Sequence, residues 1–302
     1  MSLLVFGHKN PDTDSICSSL VMTNFKKSLG LDAVACCLGE LRKEAEFVLN
    51  YFGVEGPKLI ESVKEGDLCC LVDHNEYGQS VDGLENATIV EIVDHHKLGG
   101  ITTPAPLSVT LRPVGCTNTI LYYMYKENDV EITKPIAGLM LSAILSDTLI
   151  FRSPTTTEDD IAAGKDLAKI AGVDYEAYGM EMFKAGTSLE GYSIEEIVNM
   201  DFKAFDMGNK KVGIGQVMTL DIDSVLSKKD EYLDYINSTD YDMLYLAITD
   251  IINEGSYLLY KSPDEIVRNA FKVEPVQGAF VEGLVSRKKQ LVPNLTPEIE
   301  KL

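Results

Sequence analysis

Residues 3–15 read LLVFGHKNPDTDS, a short apolar run followed at once by a polar loop. The run from Leu3 to Phe6 is typical of a buried strand. Gly7 and the pair Asn10-Pro11 favour a tight, non-helical loop after that strand. Three side chains of the loop carry an imidazole or a carboxylate: His8, Asp12 and Asp14. We expect these three to converge at the carboxyl edge of a sheet, where open α/β folds bind their ligands.

Two further apolar runs end in the same kind of cluster. Leu68–Val72 is followed by Asp73-His74-Asn75, and Thr88–Val93 is followed by Asp94-His95-His96. The chain has four histidines, and all four lie in these three clusters. A lone Asp-His pair is usually a hydrogen-bonded turn, but three such clusters at three strand ends are more simply explained by a dinuclear metal centre. Manganese is a suitable ion for imidazole and carboxylate ligands.

Local helix chemistry is the alternative explanation for some of these aspartates. Asp14 or Ser15 could serve as the N-cap of a helix, although capping does not account for His8. Asp147 follows the apolar helical pattern Leu139–Ser146. A carboxylate at the carboxyl end of a helix is opposed by the helix dipole, and metal binding would remove that objection. We therefore take Asp147 as a fourth element of the metal site.

The alternation of apolar runs predicts the fold of the first half. After Leu3–Phe6 we predict strands at Ala33–Cys37, Leu68–Val72 and Ile89–Val93, with helices at Ser15–Leu29 and Lys43–Phe52. This pattern indicates a parallel sheet covered by helices on both faces. Further helices are predicted at Asn118–Asn128, Pro135–Ser146, Glu158–Ala171 and Tyr175–Lys184.

A polar stretch from Ala185 to Tyr192 separates a second region, in which strands reappear. We predict strands at Lys211–Val217, Met243–Thr249 and Tyr257–Tyr260, and a helix near Asp264–Phe271. The predicted architecture is α/β with two domains: a parallel domain over residues 1–186, a linker over 187–192 and a smaller, mixed α/β domain over 193–302.

Composition limits the partners of the chain. Its 302 residues carry 27 basic and 47 acidic side chains, and the net charge of −20 repels nucleic acid and anionic membranes. We see no amino-terminal targeting signal, and the longest apolar segment, Ile136–Ser146, falls short of the roughly 20 residues that span a bilayer. We therefore expect a cytoplasmic protein with no nucleic-acid or membrane partner. The six cysteines are expected to be buried free thiols, with Cys116 a weak candidate nucleophile.

One basic run stands out in this acidic chain. Arg287-Lys288-Lys289 is the only consecutive triple of basic residues. Four aspartates would offset two divalent ions, so a polyanionic substrate would need other positive groups. A solvated basic turn is the alternative explanation. The position of this run in the second domain favours a clamp that closes on the substrate.

The order and spacing of these motifs resemble the manganese-dependent family II inorganic pyrophosphatases of the DHH phosphoesterase superfamily. The resemblance covers nearly the whole chain and rests on five motifs: His8-x-x-x-Asp12-x-Asp14, Asp73-His74-Asn75, Asp94-His95-His96, Asp147 and Ser286–Gln290. It implies a DHH metal-binding catalytic domain followed by a DHHA2-type substrate-binding domain, with the active site in the cleft between them.

The resemblance also implies residue roles. One metal ion would be held by His8 and Asp12, a second by Asp14, His95 and Asp147, and Asp73 would bridge both. The implied catalytic and substrate-binding residues are His96, as an acid or hydrogen-bond donor, and Lys203, Arg287 and Lys288, which would grip the phosphates. His74 and Asp94 would orient the ligands.

The implied activity is hydrolysis of pyrophosphate to two phosphates, by in-line attack of a hydroxide held between the two metal ions. The implied cofactors are two Mn²⁺ or Co²⁺ ions per subunit and an additional Mg²⁺ with the substrate. A homodimer through the N-terminal domain is also implied. Between Asp94 and Asp147 there is no room for the regulatory insert that some relatives carry.

Three other functions stay open at this point. A short-chain exopolyphosphatase would use the same metals and the same basic motif. An oligonucleotide or cyclic-dinucleotide phosphodiesterase would need a base-stacking surface and a Gly-Gly-Gly-His type motif, and the chain has neither that motif nor tryptophan. A regulatory metal-binding protein would not need Arg287, Lys288 and His96.

Overall fold

The computed structural model describes residues 2–302. The chain divides into two compact units, with the boundary between Gly186 and Thr187. Unit 1 ends at Gly186, and unit 2 begins at Thr187. Within the described residues, no helix combines the length and the apolar character that a membrane span requires.

Unit 1 is built on one parallel sheet. Within its described residues the sheet has six strands, in the order β3-β2-β1-β4-β5-β6. The strands are β1 (Leu3–Lys9), β2 (Ala33–Leu38), β3 (Lys58–Leu59), β4 (Leu68–Val72), β5 (Thr88–Asp94) and β6 (Ser108–Leu111). Every neighbouring pair in the sheet runs parallel. The predicted parallel sheet is therefore confirmed.

The helices of unit 1 follow the predicted segments closely. They are α1 (Thr13–Ser28), α2 (Lys43–Phe52), α3 (Thr117–Glu127), α4 (Lys134–Asp147), α5 (Glu158–Ala171) and α6 (Tyr175–Gly186). The apolar core between helices and sheet includes Val5, Val72, Leu139 and Met140. The other face of the sheet is covered by Val63, Val81 and Leu84, from connecting segments, rather than by the α-helices that we expected there.

Three local predictions in unit 1 need correction. β1 continues to Lys9, so His8 lies at the end of a strand rather than in the loop. The N-cap of α1 is Asp12, whose side chain accepts a hydrogen bond from the Ser15 N–H at 3.0 Å; it is neither Asp14 nor Ser15. β3 and β6 were not predicted, because each is too short for its alternation to be recognised.

Unit 2 contains a mixed sheet, as predicted. Within its described residues the sheet has five strands in the order β11-β10-β9-β8-β7, of which only β8 and β9 pair in parallel. The strands are β7 (Phe202–Met207), β8 (Lys210–Thr219), β9 (Met243–Asp250), β10 (Gly255–Lys261) and β11 (Ala279–Glu282). β9 is buried along its whole length, so it is the centre of the unit.

The helices of unit 2 are short. They are α7 (Ile194–Asn199), α8 (Ile222–Leu226), α9 (Lys229–Ser238), α10 (Asp264–Phe271) and α11 (Val292–Ile299), with a π-helical turn over Arg287–Leu291. Only α10 was predicted. The edge strands β7 and β11 were missed as well, because β7 mixes charged residues with its apolar ones and β11 has four residues.

Candidate functional site

The ends of three neighbouring strands carry most of the predicted metal ligands. β1, β4 and β5 lie side by side and run in the same direction. His8 is the penultimate residue of β1, and Asp73 follows β4 directly. Asp94 is the last residue of β5, so His95 and His96 follow at the same edge. Parallel pairing thus brings the three sequence clusters together, because parallel strands end on one side of a sheet.

Asp73 lies at the centre of the cluster. Its carboxylate faces two histidines, with Oδ2 3.4 Å from His8 Nε2 and Oδ1 3.4 Å from His95 Nε2. Asp12 joins the first side, because its Oδ2 lies 3.4 Å from the same His8 nitrogen. Asp147 joins the second side, with its Oδ2 4.0 Å from His95 Nε2. One carboxylate therefore faces two groups of candidate ligands, as a bridging ligand must.

The two histidines are oriented in the same way. His8 Nδ1 lies 2.8 Å from the Lys9 carbonyl oxygen, and His95 Nδ1 lies 3.1 Å from the Val114 carbonyl oxygen. A carbonyl only accepts, so Nδ1 carries the hydrogen in each ring. The lone pair of Nε2 in the neutral imidazole then points to the carboxylates. This arrangement is typical of metal-binding histidines, whose second nitrogen donates to the protein.

Asp14 is buried in the first turn of α1 and is held by donors from two helices. Its Oδ2 accepts a hydrogen bond from the Thr117 N–H at 2.8 Å. Its Oδ1 accepts from Asn118 Nδ2 at 2.7 Å and from Ser18 Oγ at 3.0 Å. Among the described residues, Asp14 and Asp147 belong to one group whose candidate ligand atoms lie within 4.8 Å of one another.

Burial and mutual repulsion make the cluster attract positive charge. Burial and the neighbouring charge of Asp14 raise the pKa of Asp73 to about 6. Burial, followed by Asp14 and Asp73, raises the pKa of Asp147 well above its usual range. Burial alone would lower the pKa of His8, but its contacts with the Asp12 and Asp73 carboxylates raise it to about 11. Bound cations would relieve the repulsion among these carboxylates.

The donor set fits a pair of divalent ions. Asp73 Oδ2 is buried and has no hydrogen-bond partner among the described residues. Such an orphaned oxygen is costly unless something binds to it. A cavity of about 400 Å³ opens beside it and is lined by Asp12, His95, Asp147 and Thr155, among others. Imidazole nitrogens combined with carboxylate oxygens suit manganese or cobalt, so these residues could hold either metal.

His96 differs from the other two site histidines, because its side chain is 53% exposed. Its Nδ1 lies 2.9 Å from Asp94 Oδ1, and the same oxygen accepts from the His96 N–H at 3.0 Å. The hydrogen bond to Asp94, opposed by partial burial, raises the pKa of His96. Burial would raise the pKa of Asp94, but the His96 hydrogen bonds lower it to about 2. Nε2 is thus the ring nitrogen of His96 that is left to meet a ligand.

The remaining motif residues have distinct surroundings. Asn75 Nδ2 donates to Asp94 Oδ2 at 2.5 Å and so extends the network that holds the His96 ring. His74 is buried, and its two ring nitrogens bond to the Val72 carbonyl oxygen at 2.9 Å and to Ser80 Oγ at 3.0 Å. The hydrogen bonds of His74 therefore do not reach the candidate ligands.

The predicted phosphate-binding residues lie in unit 2. Arg287 is bound by Asp201 through two contacts: Nη2 to Oδ1 at 2.6 Å, and Nη1 to the carbonyl oxygen. Asp201 directly precedes β7, whose second residue is Lys203. Lys203 and Lys288 are exposed, whereas the side chain of Arg287 is largely covered. Unit 2 thus brings Arg287 to the start of the strand that carries Lys203.

Several residues that hold these groups were missed by sequence reasoning. Thr117 and Asn118 bind Asp14, and the buried thiol of Cys116 belongs to the same group of candidate ligand atoms as Asp14 and Asp147. Burial raises the pKa of that thiol well above its usual range, so a nucleophilic Cys116 is disfavoured. The available signal was the run of three polar residues that opens helix α3 and precedes its apolar and aromatic segment.

Two family models match this chain, one in its N-terminal part and one in its C-terminal part. A family model described as "DHH family, N-terminal domain" matches residues 2–144, and one described as "DHHA2 domain" matches residues 180–297. A Clostridium acetobutylicum protein named "Probable manganese-dependent inorganic pyrophosphatase" is 47% identical over 304 residues, which cover 99% of this chain and 98% of that protein. An Exiguobacterium protein of the same name is 49% identical over 302 residues, 98% of each chain.

Two solved structures share the fold. A Methanococcus jannaschii protein, whose crystal structure is described as that of a "putative family II inorganic pyrophosphatase", is 43% identical with a TM-score of 0.63, over 98% of this chain and 99% of that one. An exopolyphosphatase-related protein from Bacteroides fragilis is 13% identical with a TM-score of 0.52, over 99% and 92% of the two chains, and supports the fold alone. With both domain matches and this identity over nearly its full length, the chain belongs to the manganese-dependent, family II inorganic pyrophosphatases.

Proposed function

We propose that this chain hydrolyses inorganic pyrophosphate to two phosphates. The observation that carries the proposal is the position of Asp73, whose two oxygens face separate histidines while Oδ2 lacks any other partner among the described residues. Two Mn²⁺ or Co²⁺ ions would be bound there. When bound, such ions act as Lewis acids that activate water and stabilise developing negative charge on phosphoryl oxygens.

We propose one role for each candidate ligand. His8 and Asp12 would hold one ion and Asp14, His95 and Asp147 the other, with Asp73 shared between them. The grouping is supported by the short distances from Asp73 to His8 and His95, and by the adjacency of Asp14 to Asp147. Four carboxylates would offset the charge of two divalent ions, so the loaded cluster would not itself attract a polyanion.

His96 would hold a proton at the substrate. Asp94 accepts from Nδ1 and raises the pKa of the ring, which favours a second proton on Nε2 that would be available to a phosphate oxygen. The exposure of the ring is consistent with contact to a ligand from solvent. His96 would therefore stabilise the substrate or the leaving phosphate rather than bind a metal.

Unit 2 would supply the positive charge that the substrate requires. Lys203, Arg287 and Lys288 would bind phosphate oxygens, together with a Mg²⁺ ion that arrives with the substrate. This role is supported by the exposure of both lysines and by the neighbouring positions of Arg287 and the β7 strand. We propose a catalytic domain over residues 1–186, a linker over 187–192 and a substrate-binding domain over 193–302.

A comparison of substrates tests the proposed activity. Phosphate release is measured from pyrophosphate, tripolyphosphate and a dinucleotide, each with manganese and magnesium present. We expect pyrophosphate to be hydrolysed fastest. Faster release from tripolyphosphate would identify an exopolyphosphatase, and cleavage of the dinucleotide would identify a phosphodiesterase. Bound manganese without any hydrolysis would indicate a regulatory metal-binding protein.

We also propose a cytoplasmic homodimer that assembles through unit 1. β6 is the edge strand of its sheet, and Val109 on that strand is 47% exposed, which is compatible with a contact between subunits. The six cysteines are buried and unpaired, as suits a reducing compartment. Sedimentation equilibrium would give the mass of a monomer if the proposed dimer does not form.

A further inference from the structure

A buried glutamine in β8 holds the backbone of residues 284–291, which carry the run Arg287-Lys288-Lys289 and are called the basic loop. Gln216 is 8% exposed and lies among apolar residues of the strand. Its Oε1 accepts a hydrogen bond from the Arg287 N–H at 2.9 Å. Its Nε2 donates to the Val285 carbonyl oxygen at 3.0 Å and to Thr249 Oγ1 at 2.9 Å. The side-chain amide therefore bonds to the loop on both sides of Ser286.

The backbone of the same residue reaches the other basic element. The Gln216 N–H donates to the Asp201 carbonyl oxygen at 3.0 Å. That carbonyl also accepts from Arg287 Nη1, and the Asp201 carboxylate binds Nη2 of the same guanidinium. Lys203 lies two residues further along the chain. One residue of β8 thus fixes both the loop that carries Lys288 and the segment that leads to Lys203.

The polar contacts continue through the sheet beneath the loop. Thr249 Oγ1 lies 2.8 Å from Ser256 Oγ, and Ser256 Oγ donates to the Leu284 carbonyl oxygen at 2.5 Å. Both hydroxyl residues are buried. On the other side of the loop, Gln290 Oε1 accepts from the Val285 N–H at 2.9 Å. The loop is therefore held by neutral groups of β8 and β10, which Thr249 of β9 links, and by a residue at its own end.

Such a chain of polar groups is an uncommon way to fill the interior of a sheet. An amide that is removed from water costs free energy unless its hydrogen bonds are replaced, and an apolar side chain of similar size avoids that cost. A satisfied polar network, by contrast, specifies one conformation of the groups that it joins. The bonds of Gln216 fix the backbone of Val285 and Arg287. The direction of that backbone determines where the side chains of Arg287 and Lys288 point.

We propose that Gln216 is a positioning residue for substrate binding: it sets the backbone of residues 285–287 so that Arg287 and Lys288 meet a phosphate together with Lys203. The inference rests on the proposed function, because it assigns the three cations to the substrate. Gln216 itself would not touch the substrate, and it would not affect metal binding.

The principal test is Gln216→Met, which keeps the length of the side chain and removes its hydrogen bonds. We expect kcat/KM for pyrophosphate to fall by about 10–100-fold, the range typical of residues that orient a binding group. Manganese affinity should stay unchanged. Hydrogen exchange measured by mass spectrometry should show faster exchange in a peptide that covers residues 284–288.

Gln277→Met is the matched control. Gln277 also bridges backbone groups in unit 2, since its Oε1 accepts from the Tyr260 N–H at 2.9 Å and its Nε2 donates to the Tyr260 carbonyl oxygen at 2.7 Å. It does not contact the basic loop through these bonds. We expect this variant to lower the midpoint of thermal unfolding to a similar extent while kcat/KM remains within about twofold of the parent protein.

Thr249→Val provides a graded comparison. This isosteric change removes one partner of Gln216 Nε2 but leaves its bonds to Val285 and Arg287. We expect kcat/KM to fall by less than about threefold, because the loop itself keeps its contacts. If Thr249→Val lowered kcat/KM as much as Gln216→Met, the effect on kcat/KM would reflect the stability of the sheet rather than the position of the loop.

The outcomes separate this inference from the proposed function. If the parent protein does not hydrolyse pyrophosphate, the proposed function fails and the assignment of Gln216 to substrate binding fails with it. If it does, unchanged kcat/KM in Gln216→Met, an equal loss in Gln277→Met, or unchanged exchange over residues 284–288 would each overturn the inference alone. A selective loss in Gln216→Met with faster exchange of the loop would support it.

Discussion

The carboxylate cluster of unit 1 and the basic loop of unit 2 are built on opposite principles. In unit 1 the charged groups are themselves buried, as the near-complete burial of Asp14 and Asp73 shows. In unit 2 Lys203 and Lys288 are exposed, and the buried groups beneath the loop are neutral amides and hydroxyls such as Gln216. The first site buries its charged groups. The second exposes its charged groups and holds their backbone with buried neutral groups.

This difference predicts different sensitivities. A buried charge is costly when it has no counter-charge, so the stability of unit 1 should depend on bound cations. Neutral hydrogen-bonded groups do not carry that cost, so unit 2 should be equally stable with and without metal. Substitutions in unit 1 should therefore change metal affinity first, whereas those in unit 2 should change substrate binding and turnover.

Replacement of the central carboxylate gives the sharpest test of this comparison. We expect Asp73→Asn to lower kcat/KM by about 10³-fold or more, beyond the 10–100-fold typical of residues that only orient a ligand. In the metal-free state the variant should be at least as stable as the parent, because a buried and repelled charge has been removed. Steady-state kinetics and urea unfolding with a chelator present measure the two effects.

A surface carboxylate serves as the control for Asp73. Asp82 is exposed and pairs with Lys9 at 2.6 Å, an arrangement that contributes little to stability. Asp82→Asn should leave activity and metal dependence unchanged. If Asp73→Asn were instead strongly destabilised without metal, the carboxylate would be stabilising the apo fold, and the contrast between the two units would be lost.

A substitution in the basic loop should have the opposite effects: it should lower turnover and leave metal binding and stability unchanged. We expect Lys288→Ala to lower kcat by about 10²–10³-fold, the usual effect of removing one preorganised donor to a developing negative charge. Manganese content and thermal stability should not change, because Lys288 is exposed and remote in sequence from the ligands. Kinetics and metal analysis of the same preparation decide the result.

Lys289→Ala is the matched control for Lys288, since the two lysines are adjacent and both exposed. It removes the same charge from the unit but should reduce kcat by less than about threefold, because Lys289 has no proposed contact with the substrate and would act only through a surface potential that salt screens. Equal losses in both variants would mean that the loop attracts the substrate by its net charge and does not bind it through a specific residue.

Substitutions of Glu44 should perturb the candidate metal site to a smaller extent. Its Oε1 accepts hydrogen bonds from Thr13 Oγ1 at 2.5 Å and from Ser146 Oγ at 2.6 Å, and these two residues adjoin the candidate ligands in sequence. Loss of such support typically weakens metal binding by about 10–100-fold, which we expect for Glu44→Ala. Glu44→Gln keeps an acceptor at Oε1 and should bind manganese within about threefold of the parent.

The exposed residue Glu46, on the same helix, is the control for charge alone. Glu46→Ala should leave manganese binding unchanged in a fluorescence or calorimetric titration. If Glu44→Gln bound manganese as weakly as Glu44→Ala, the negative charge of Glu44 rather than its hydrogen bonds would support metal binding. In that case Glu44 would act on the metals electrostatically, and the cluster would extend beyond its direct ligands.

The fold was largely predictable because strands and helices of unit 1 carry strong apolar patterns. β1, β4 and β5 are short apolar runs, and each ends in polar residues that mark its boundary. β6 was missed because it has only four residues, and β7 because its sequence is only partly apolar, as an edge strand allows. The connecting segments that cover the second face of the unit 1 sheet have no regular period, so sequence patterns could not distinguish them from surface loops.

The site was predictable to the extent that its residues belong to motifs. The Asp and His clusters follow strand ends, and parallel pairing was enough to bring them together. Gln216 and Glu44 belong to no motif, and their partners lie from 31 to 102 residues away for Glu44 and up to 71 residues away for Gln216. Their importance depends on tertiary contacts, which composition and spacing do not encode. The roles of the individual site residues remain predictions.

Backbone strain beside the candidate metal ligands distinguishes their site from the basic loop, and release of that strain gives the smallest expected effect. Leu149, Ile150 and Phe151, directly after α4 and Thr148, have φ values of 50°, 54° and 63°, and Asp73 has φ 61°. Such left-handed residues other than glycine cost about 1–2 kcal/mol each. Among the described residues of the basic loop, from Leu284 to Leu291, none has positive φ.

Leu149 is the position at which this strain can be measured alone, because its side chain is 54% exposed. Leu149→Gly relieves the strain but loses about 0.5–1 kcal/mol in chain entropy, whereas Leu149→Ala shortens the side chain and keeps the strain. We expect the glycine variant to be about 1 kcal/mol more stable than the alanine variant in urea unfolding. Manganese affinity should stay within about twofold, because Ile150 is buried and still anchors the turn. Equal stability of the two variants would show that the left-handed turn after Asp147 is not strained, and the metal site would then differ from the basic loop in buried charge alone.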